Sequence, residues 1–314
     1  MSHVASRRLS ASRIFARLLI IAGCLALTVL LVFHQQVPDV AGLGLVIDNL
    51  APWLGLGVPV LLLLALAARG RGTFLMLLVP AVAWALIFGP MVVPAPAREP
   101  VQGLKVATQN VHERQVDSAA RSLAQAGAEV IALQELGAGQ DAEVSRTLAS
   151  SHPYHFSVST VGVWSKYPIS RAEPLDLGLD WDRALRLDVE TAAGPVRLYT
   201  VHAASARPTG HGDRDMMLGN LAGYVQQDPS PRIVAAGDFN ATSTDRHFAP
   251  VSGQLELVRY SRWGLALTWP RQPFPVLGID HVLVRGVEPA GLERVEAGDS
   301  DHLGLVSTLD VSAP

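Results

Sequence analysis

The stretch Ile233-Val234-Ala235-Ala236-Gly237-Asp238-Phe239-Asn240 joins four apolar residues to a turn that carries an acid and an amide. An apolar run of this length, bounded by turn formers, predicts a buried strand. Asp238 and Asn240 would then stand at the end of that strand, where a rigid sheet holds reactive side chains in place. Gly, Asp and Asn are also the usual turn formers, so the stretch by itself is equally consistent with an ordinary turn.

The same pattern, an apolar run next to polar residues, recurs at five other places after residue 103. The polar residues there are Asn110, Glu135, His202, Asp280 with His281, and Asp301 with His302. The adjoining apolar runs, predicted as strands, are Leu104–Thr108, Val130–Leu133, Val196–His202, Val282–Val284 and Leu303–Thr308. Helices are predicted at Ser118–Ala126 and Asp213–Gln227. Strands outnumber helices, which indicates two packed sheets flanked by helices. Taken singly, each polar residue is explained as well by a solvated strand end.

The first third of the chain is far more apolar than the rest, and it raises the mean hydropathy of the whole chain to +0.27. Crossing the hydrocarbon core of a bilayer takes about 20 apolar residues. Three uncharged apolar runs approach or exceed that length, namely Leu18–Phe33, Asn49–Ala68 and Thr73–Ala97. We therefore predict a membrane region over residues 1–93, with transmembrane helices at about residues 14–34, 49–68 and 73–93. A cleaved signal peptide is the alternative for the first run, but the Phe33-His34-Gln35-Gln36 that follows lacks the small residues of a cleavage site.

The positions of Lys and Arg predict the orientation of these helices, because positive residues favour the cytoplasmic side. They precede the first run and lie between the second and third, at Arg7, Arg8, Arg13, Arg17, Arg69 and Arg71. The segment between the first two runs has none. With three crossings, the N-terminus is cytoplasmic and everything after Pro94 is extracytoplasmic. Residues 94–103 are rich in proline, which predicts a short, stiff linker to a domain over residues 104–314.

Charge and cysteine content limit the chemistry that this second domain can perform. The only cysteine, Cys24, lies in the first apolar run, so neither a disulfide within the chain nor Cys–His zinc spacing is available. From residue 101 onward there are 18 Lys and Arg against 25 Asp and Glu, a formal balance of −7. Non-specific nucleic-acid binding depends on neutralising phosphates with basic residues. Nucleic acid is therefore a less favoured partner.

Taken together and in order, the polar segments resemble the endonuclease/exonuclease/phosphatase, or DNase I-like, superfamily. The matching segments are Ala107–Val111, Leu133–Glu135, Gly162–Ile169, Thr200–His202, Gly237–Asn240, Ile279–Val282 and Ser300–Leu303. The resemblance covers residues 104 to about 310. It implies a mixed α/β fold, a four-layer α/β/β/α sandwich, preceded here by the three transmembrane helices. It also implies a metal-dependent hydrolase acting on phosphoester bonds.

The resemblance implies that Glu135 is the main metal carboxylate, with Asn110 beside it and Asp301 as a second carboxylate near the metal. Hard oxygen ligands suit Mg²⁺, or Mn²⁺, better than softer ions. Mg²⁺ usually takes only one or two protein carboxylates and fills its other positions with water and phosphate oxygens. The expected cofactor is therefore Mg²⁺ or Mn²⁺.

The remaining strand-end residues are implied to be catalytic. Asp238 would orient or deprotonate the attacking water, and Asn240 would hold a phosphate oxygen beside it. His202 and His302 would donate to non-bridging oxygens and stabilise the charge that develops there. Asp280 would orient His302 and favour its imidazolium form. Direct attack by water leaves no covalent enzyme intermediate.

Four further residues have open interpretations. Arg183 and Arg186 either bind substrate phosphate, for which the guanidinium is well suited, or are solvated charges at a strand edge. His281 is interpreted as supporting structure. Trp269 either stacks on a substrate group or packs in the core, and the usual burial of Trp favours the second.

The substrate does not follow from fold and chemistry alone. The three spans followed by this domain are similar to actinobacterial membrane proteins linked to teicoplanin resistance, which suggests a lipid-linked phosphate at the cell membrane. An extracytoplasmic nuclease is the alternative, and a non-catalytic tethered binding module is a second one. No protein partner is deducible.

Overall fold

A computed structural model describes residues 2–68, 73–96 and 98–312 of the chain, with side chains from residue 13 onward. Arg69 and Arg71, which entered the prediction of orientation, lie outside the described residues, and so do the side chains of Arg7 and Arg8. The chain divides into two compact units, one ending at Val92 and the other beginning at Val93. Each is described separately below.

Helices joined by short turns make up the described part of the first unit. Its elements are α1 (Ser2–Phe33), a 3-10 helix at His34–Gln36, α2 (Leu43–Asn49), a 3-10 helix at Ala51–Leu56, α3 (Gly57–Ala67) and α4 (Phe74–Val92). Two segments, Arg13–Gln36 and Phe74–Val92, are long and apolar enough to cross a membrane. Leu43–Asn49 and Ala51–Ala67 form a pair bent by 74°, which makes a third span if it is counted as one. The break falls at Leu50, at the start of the helix predicted at about residues 49–68, and Ala51–Ala67 occupies the rest of that range.

Small and apolar side chains hold these helices together. Cys24 of α1, Ala65 of α3 and Leu77 of α4 are buried in one cluster, and Leu31 and Phe88 belong to a second. Most other large side chains of the unit are exposed, among them many leucines and valines. An apolar surface of this extent marks an interaction with lipid or protein.

The second unit alternates strands and helices. Its elements are β1 (Gly103–Asn110), α5 (Val116–Gln125), β2 (Val130–Gln134), α6 (Gln140–Leu148), β3 (Tyr154–Val158), β4 (Val161–Ser165), β5 (Ile169–Pro174), β6 (Ala184–Thr191), β7 (Gly194–His202), α7 (Gly212–Gln227), β8 (Ile233–Asp238), α8 (Ala249–Ser252), β9 (Glu256–Leu257), β10 (Asp280–Arg285), β11 (Glu288–Val295) and β12 (Gly304–Asp310). The predicted strands and helices are present, with bounds that differ by a few residues.

The strands form two six-stranded sheets, which confirms the predicted fold class. One has the order β11-β12-β1-β2-β4-β3 and the other β5-β6-β7-β8-β10-β9. The valine- and leucine-rich inner faces of both sheets share one core, which includes Val106, Val130, Leu187 and Val234. A second core lies between the second sheet and α7 with α8, and a third between the first sheet and α5 with α6. The result is a helix–sheet–sheet–helix sandwich.

Strand direction brings the polar strand ends to one edge of both sheets. β1 runs parallel to β2, and β7 runs parallel to β8. β12 is antiparallel to β1, and β10 is antiparallel to β8, so each of these begins where its neighbour ends. In register, Asp238 lies opposite both His202 and Asp280. The topology therefore assembles the candidate residues at one end of the sandwich.

Gly237 is required by the packing of β8 against β7. A Cβ atom on Gly237 would lie 1.9 Å from the carbonyl oxygen of Val201, a backbone atom that has no room to move. We expect Gly237→Ala to reduce the free energy of unfolding of the second unit by about 3 kcal/mol or more, as severe core strain does. Thermal unfolding followed by tryptophan fluorescence in detergent measures this.

The matched control is Gly219→Ala in α7, where an added Cβ meets nothing within 4 Å. Ala is favoured over Gly by about 1 kcal/mol inside a helix, so this variant should melt at or slightly above the wild-type temperature. Equal melting temperatures for the two variants would contradict the steric explanation.

Candidate active site

The side-chain amide of Asn110 joins the two sheets at the polar edge. Its Nδ2 donates to Glu135 Oε1 and to Asp238 Oδ2, both at 3.0 Å. Asn110 ends β1 and Glu135 follows β2, both in the first sheet, whereas Asp238 ends β8 in the second sheet. The hydrogen bond from Asn110 to Asp238 joins residues that are 128 positions apart. The carboxylate pair is held at the junction of the sheets.

Asp238 is buried and held by several donors. The backbone N–H of Asn240 donates to its Oδ1 at 2.9 Å, and Asn240 Nδ2 lies 3.3 Å from its Oδ2. Asn240 in turn donates to the Ala203 carbonyl at 3.0 Å, which fixes the amide at the end of β7. Burial and the neighbouring charge of Asp280 raise the pKa of Asp238, although His302 and His202 oppose the increase. The carboxylate is accordingly a stronger base than an exposed one.

His302 is held by the buried carboxylate of Asp280. Its Nδ1 lies 2.9 Å from Asp280 Oδ2, and the ring is almost fully buried. Burial alone would lower the pKa of His302, but the charge and hydrogen bond of Asp280, with the charges of Asp238 and Asp301, raise it to about 10. The imidazolium form is therefore favoured at neutral pH. Its Nε2 lies 3.9 Å from Asp238 Oδ2, which is too long for a direct hydrogen bond.

Glu135 is partly exposed and stays ionised. Burial would raise its pKa, but hydrogen bonds from His202, Asn110 and His112 hold the pKa of Glu135 well below its usual range. Its backbone lies in the left-handed region at φ 55°, as does that of Asn240 at φ 47°. Such conformations are uncommon for residues other than glycine, and they are concentrated at functional sites.

Two overlapping groups of acidic and histidine side chains could hold a metal ion. Ligand atoms of Glu135, His202 and Asp238 all lie within 4.8 Å of one another, and so do those of Asp238, Asp280 and His302. Asp280 Oδ1 is buried without a hydrogen-bond partner. Glu135 and Asp238 share the Asn110 amide, and the unpaired Asp280 oxygen lies in the same cluster. These carboxylates give the cluster excess negative charge. The residues present therefore fit a hard divalent cation held by Glu135 and Asp238. The Asn110 amide faces these carboxylates with Nδ2, and its Oδ1 accepts from the His112 N–H.

Other predicted residues are placed differently. Asp301 accepts a 3.0 Å hydrogen bond from Trp269 Nε1, and its Oδ1 lies 3.8 Å from His112 Nδ1, so it stands at the margin of the carboxylate pair. Trp269 is half-buried and its ring centroid lies 6.5 Å from that of His302. His281 is buried against Phe239 and Phe248, which agrees with a supporting role.

The two candidate arginines, Arg183 and Arg186, lie in different surroundings. Arg183 donates from Nε to the His202 carbonyl at 3.0 Å, and its Nη2 lies 2.6 Å from His202 Nε2, inside the cluster. Arg186 instead pairs with Glu173 at 2.5 Å and lies over the ring of Tyr224. The structure does not bring Arg186 to the cluster. The residue after Arg183 begins β6, where alternation turns the two side chains to different neighbours.

His112 was missed by the interpretation of the sequence. Its Nδ1 lies 2.9 Å from Glu135 Oε2, and its backbone N–H donates to Asn110 Oδ1 at 3.0 Å. The signal was present, because His112 stands only two residues beyond Asn110. An isolated histidine in a loop does not reveal its partner, which here comes from the end of a different strand.

The comparisons with known proteins agree with this geometry. The sequence model of the Endonuclease/Exonuclease/phosphatase family matches residues 107–302. The chain belongs to this family. As a member of it, the chain is a metal-dependent hydrolase of phosphoester bonds. No curated protein matches the chain in sequence at a significant level.

Three solved structures illustrate the similarity of fold. D. rerio TDP2 complexed with a single-strand DNA product has a TM-score of 0.53 and 20% identity, covering 66% of this chain and 99% of its own. Sphingomyelinase C from Streptomyces griseocarneus has a TM-score of 0.51 and 21% identity, with coverage of 66% and 99%. A mutant of beta toxin from Staphylococcus aureus with bound magnesium ions has a TM-score of 0.51 and 16% identity, also with 66% and 99%. At these identities the likeness concerns the fold.

Metal binding at this site is directly measurable. Mg²⁺ titrated calorimetrically into the detergent-solubilised full chain should bind the wild type, and Glu135→Gln should weaken that binding on the order of 100-fold by removing a ligand charge. Asp213→Asn, at an exposed acid in the first turn of α7, is the charge-matched control and should bind like the wild type. Unchanged binding by Glu135→Gln would place the cation elsewhere.

Proposed function

We propose that the chain hydrolyses a phosphate ester or anhydride by direct attack of water, with Mg²⁺ as its metal, on a lipid-linked substrate at the membrane surface. The convergence of Glu135, Asp238 and His302 at one edge of two sheets carries this proposal. A structural neighbour that holds magnesium ions supports the choice of metal over Mn²⁺. When bound, the cation would neutralise phosphate charge and orient the substrate.

The protein groups supply the remaining chemistry. Asp238 orients the attacking water and takes its proton, because its carboxylate is held by Asn110 and Asn240 and is made more basic by burial. The new P–O bond forms as the bond to the leaving group breaks. His302 donates from Nε2, which has no hydrogen-bond partner in the described part of the chain, to a non-bridging oxygen. This donor is set in place before the reaction, so it stabilises charge as that charge develops.

His202 and Arg183 complete the oxygen-binding side of the proposed site. His202 Nε2 lies 3.2 Å from Glu135 Oε1, and Arg183 Nη2 lies 2.6 Å from His202 Nε2, so both side chains stand beside the carboxylate pair. A guanidinium offers several donors in one plane and suits phosphate. Asn240 is held by its contacts to Asp238 and Ala203, and it would bind a further phosphate oxygen.

The substrate class is inferred from charge and from the first unit. The domain balance of −7 is unfavourable for a polyanion, because phosphate neutralisation dominates nucleic-acid affinity. The first unit carries apolar helices suited to a bilayer, so substrates at the membrane surface are at high local concentration. A sphingomyelinase with this fold provides a precedent for a phosphodiester lipid as substrate. A nuclease is the second candidate, supported by a neighbour bound to single-strand DNA product.

A substrate panel tests these alternatives. The detergent-purified chain with Mg²⁺ is offered a lipid pyrophosphate, sphingomyelin and plasmid DNA. We expect phosphate or phosphoryl head-group release from a lipid while the DNA stays intact. Asp238→Asn and His302→Ala should each lower kcat by about 10²–10⁴-fold, the usual cost of losing a base or a charge-stabilising donor. DNA cleavage that Glu135→Ala abolishes would favour the nuclease, and a folded protein without any turnover would favour a binding module.

We further propose three crossings and an extracytoplasmic catalytic domain. Ala51–Ala67 is about 28 Å long, with a rise of about 2 Å per residue over its 3-10 part and about 1.5 Å over α3, which is close to the thickness of the hydrocarbon core. The 74° bend then leaves the seven-residue α2 to lie along the interface rather than to continue the span. His34 and Asp48, which are buried together at 3.1 Å, close the connection between the first two spans. The positive residues that precede the first apolar run favour a cytoplasmic N-terminus.

The number of crossings decides the side on which the second unit lies. With three spans, a C-terminal alkaline phosphatase fusion should be active and a C-terminal green fluorescent protein fusion dark. If Leu43–Ala67 is a re-entrant loop, only two spans remain and the pattern reverses. Fusions after Gln36 serve as the control, because that position is extracytoplasmic in both cases.

A further inference from the structure

Arg183 carries a positive charge that no ion pair compensates among the described residues. Burial lowers the pKa of Arg183, against the charges of Glu135 and Asp238. Within the described part of the chain its hydrogen bonds go to the His202 carbonyl, the His202 ring and, at 3.5 Å, the Ala203 carbonyl. None of these partners carries a negative charge. A half-buried guanidinium without a carboxylate partner is costly, and an arriving phosphate would offset that cost.

Trp181 provides the remaining contact. The Arg183 Cζ atom lies 4.7 Å from the centroid of the Trp181 ring, within the range of a cation–π interaction. Trp181 is 47% exposed and belongs to none of the three apolar cores of the second unit. A large aromatic side chain outside the core is therefore not explained by its own burial. Its described ring contact is with the guanidinium.

The loop that carries Trp181 is fixed at its start. Leu175 and Leu177 are buried in the core beneath α7, and the Leu177 carbonyl accepts a 3.0 Å hydrogen bond from Asn220. At its other end, the His202 N–H donates to the Arg183 carbonyl at 2.9 Å. Trp181 is thus presented beside Arg183 by a loop anchored on both sides.

We propose that Trp181 is a positioning residue for phosphate recognition, holding the Arg183 guanidinium over His202 and away from solvent. This inference rests on the proposed function, since Arg183 is the group that would bind the phosphate. Without the ring, the long side chain gains rotamers that point into water and leave the phosphate without its forked donor. Neither a shape-matched aliphatic residue nor water replaces the electrostatic attraction of the ring face.

The test compares Trp181→Leu with Trp181→Phe in the Mg²⁺-loaded full chain. Inorganic phosphate is the probe. Calorimetry observes its binding without turnover, and competitive inhibition measures the same binding during the reaction. We expect Trp181→Leu to weaken phosphate binding and raise KM about tenfold with a smaller change in kcat, because a contact made with the bound phosphate is lost. Trp181→Phe, which retains a ring face, should recover most of that loss.

A double-mutant cycle separates positioning from a merely structural role. In an Arg183→Ala background, Trp181→Leu should cause no further loss, because the residue it positions is already gone. The control is Trp263→Leu, at a tryptophan that is 74% exposed in the loop between β9 and β10, and it should bind phosphate like the wild type. Losses that multiply in the double variant, or a Trp181→Leu protein equal to wild type, would overturn the proposal.

The two proposals fail in different ways. If Trp181 and Arg183 are coupled in phosphate binding but no ester is hydrolysed, the proposed function fails and the positioning role stands. If esters are hydrolysed and Trp181→Leu changes neither phosphate binding nor KM, the positioning role fails and the proposed function stands. If the wild type binds no phosphate, the positioning role is overturned, and the substrate panel alone decides the proposed function.

Discussion

The amide of Asn110 connects Glu135, from the first sheet, with Asp238, from the second. Every other feature of the site depends on that link, because it sets how the two sheets meet at their polar edge. The shared core of Val106, Val130, Leu187 and Val234 fixes the same junction from within. Apolar packing of this kind stabilises by about 1.5–3 kcal/mol for each large side chain buried. Hydrophobic burial therefore positions groups that would otherwise repel each other.

Repulsion between buried carboxylates is a property of the site. Asp238 and Asp280 are both almost fully buried, and the charge of Asp280 raises the pKa of Asp238 in addition to the effect of burial. His302 compensates part of this charge, and the amides of Asn110 and Asn240 compensate more by hydrogen bonding. The balance left over is negative, and an Mg²⁺ ion would offset it. The buried carboxylates are thus an unfavourable arrangement of charges that a bound cation would relieve. Functional sites commonly reduce the stability of a protein in this way.

Arg183 shows the same principle with the opposite sign. Among the described residues it forms no ion pair with the nearby carboxylates, and it contacts carbonyl groups, an imidazole and the Trp181 ring. Arg186, three residues later, pairs with Glu173 and stays outside the cluster. The difference between the two arginines is one of strand position. Arg183 is therefore near the proposed phosphate site, whereas Arg186 is paired elsewhere.

The sequence by itself determined the fold class and the membrane-compatible first unit, because apolar runs and their turn residues are local signals. It also indicated which strand ends carry polar residues, although the roles proposed for Asp238 and His302 remain predictions. Only the tertiary structure decided that His112 reaches Glu135, that Arg183 and not Arg186 joins the cluster, and that the second apolar run bends near Leu50. Each of these depends on contacts between residues far apart in the chain, and such contacts are set by packing rather than by neighbouring residues.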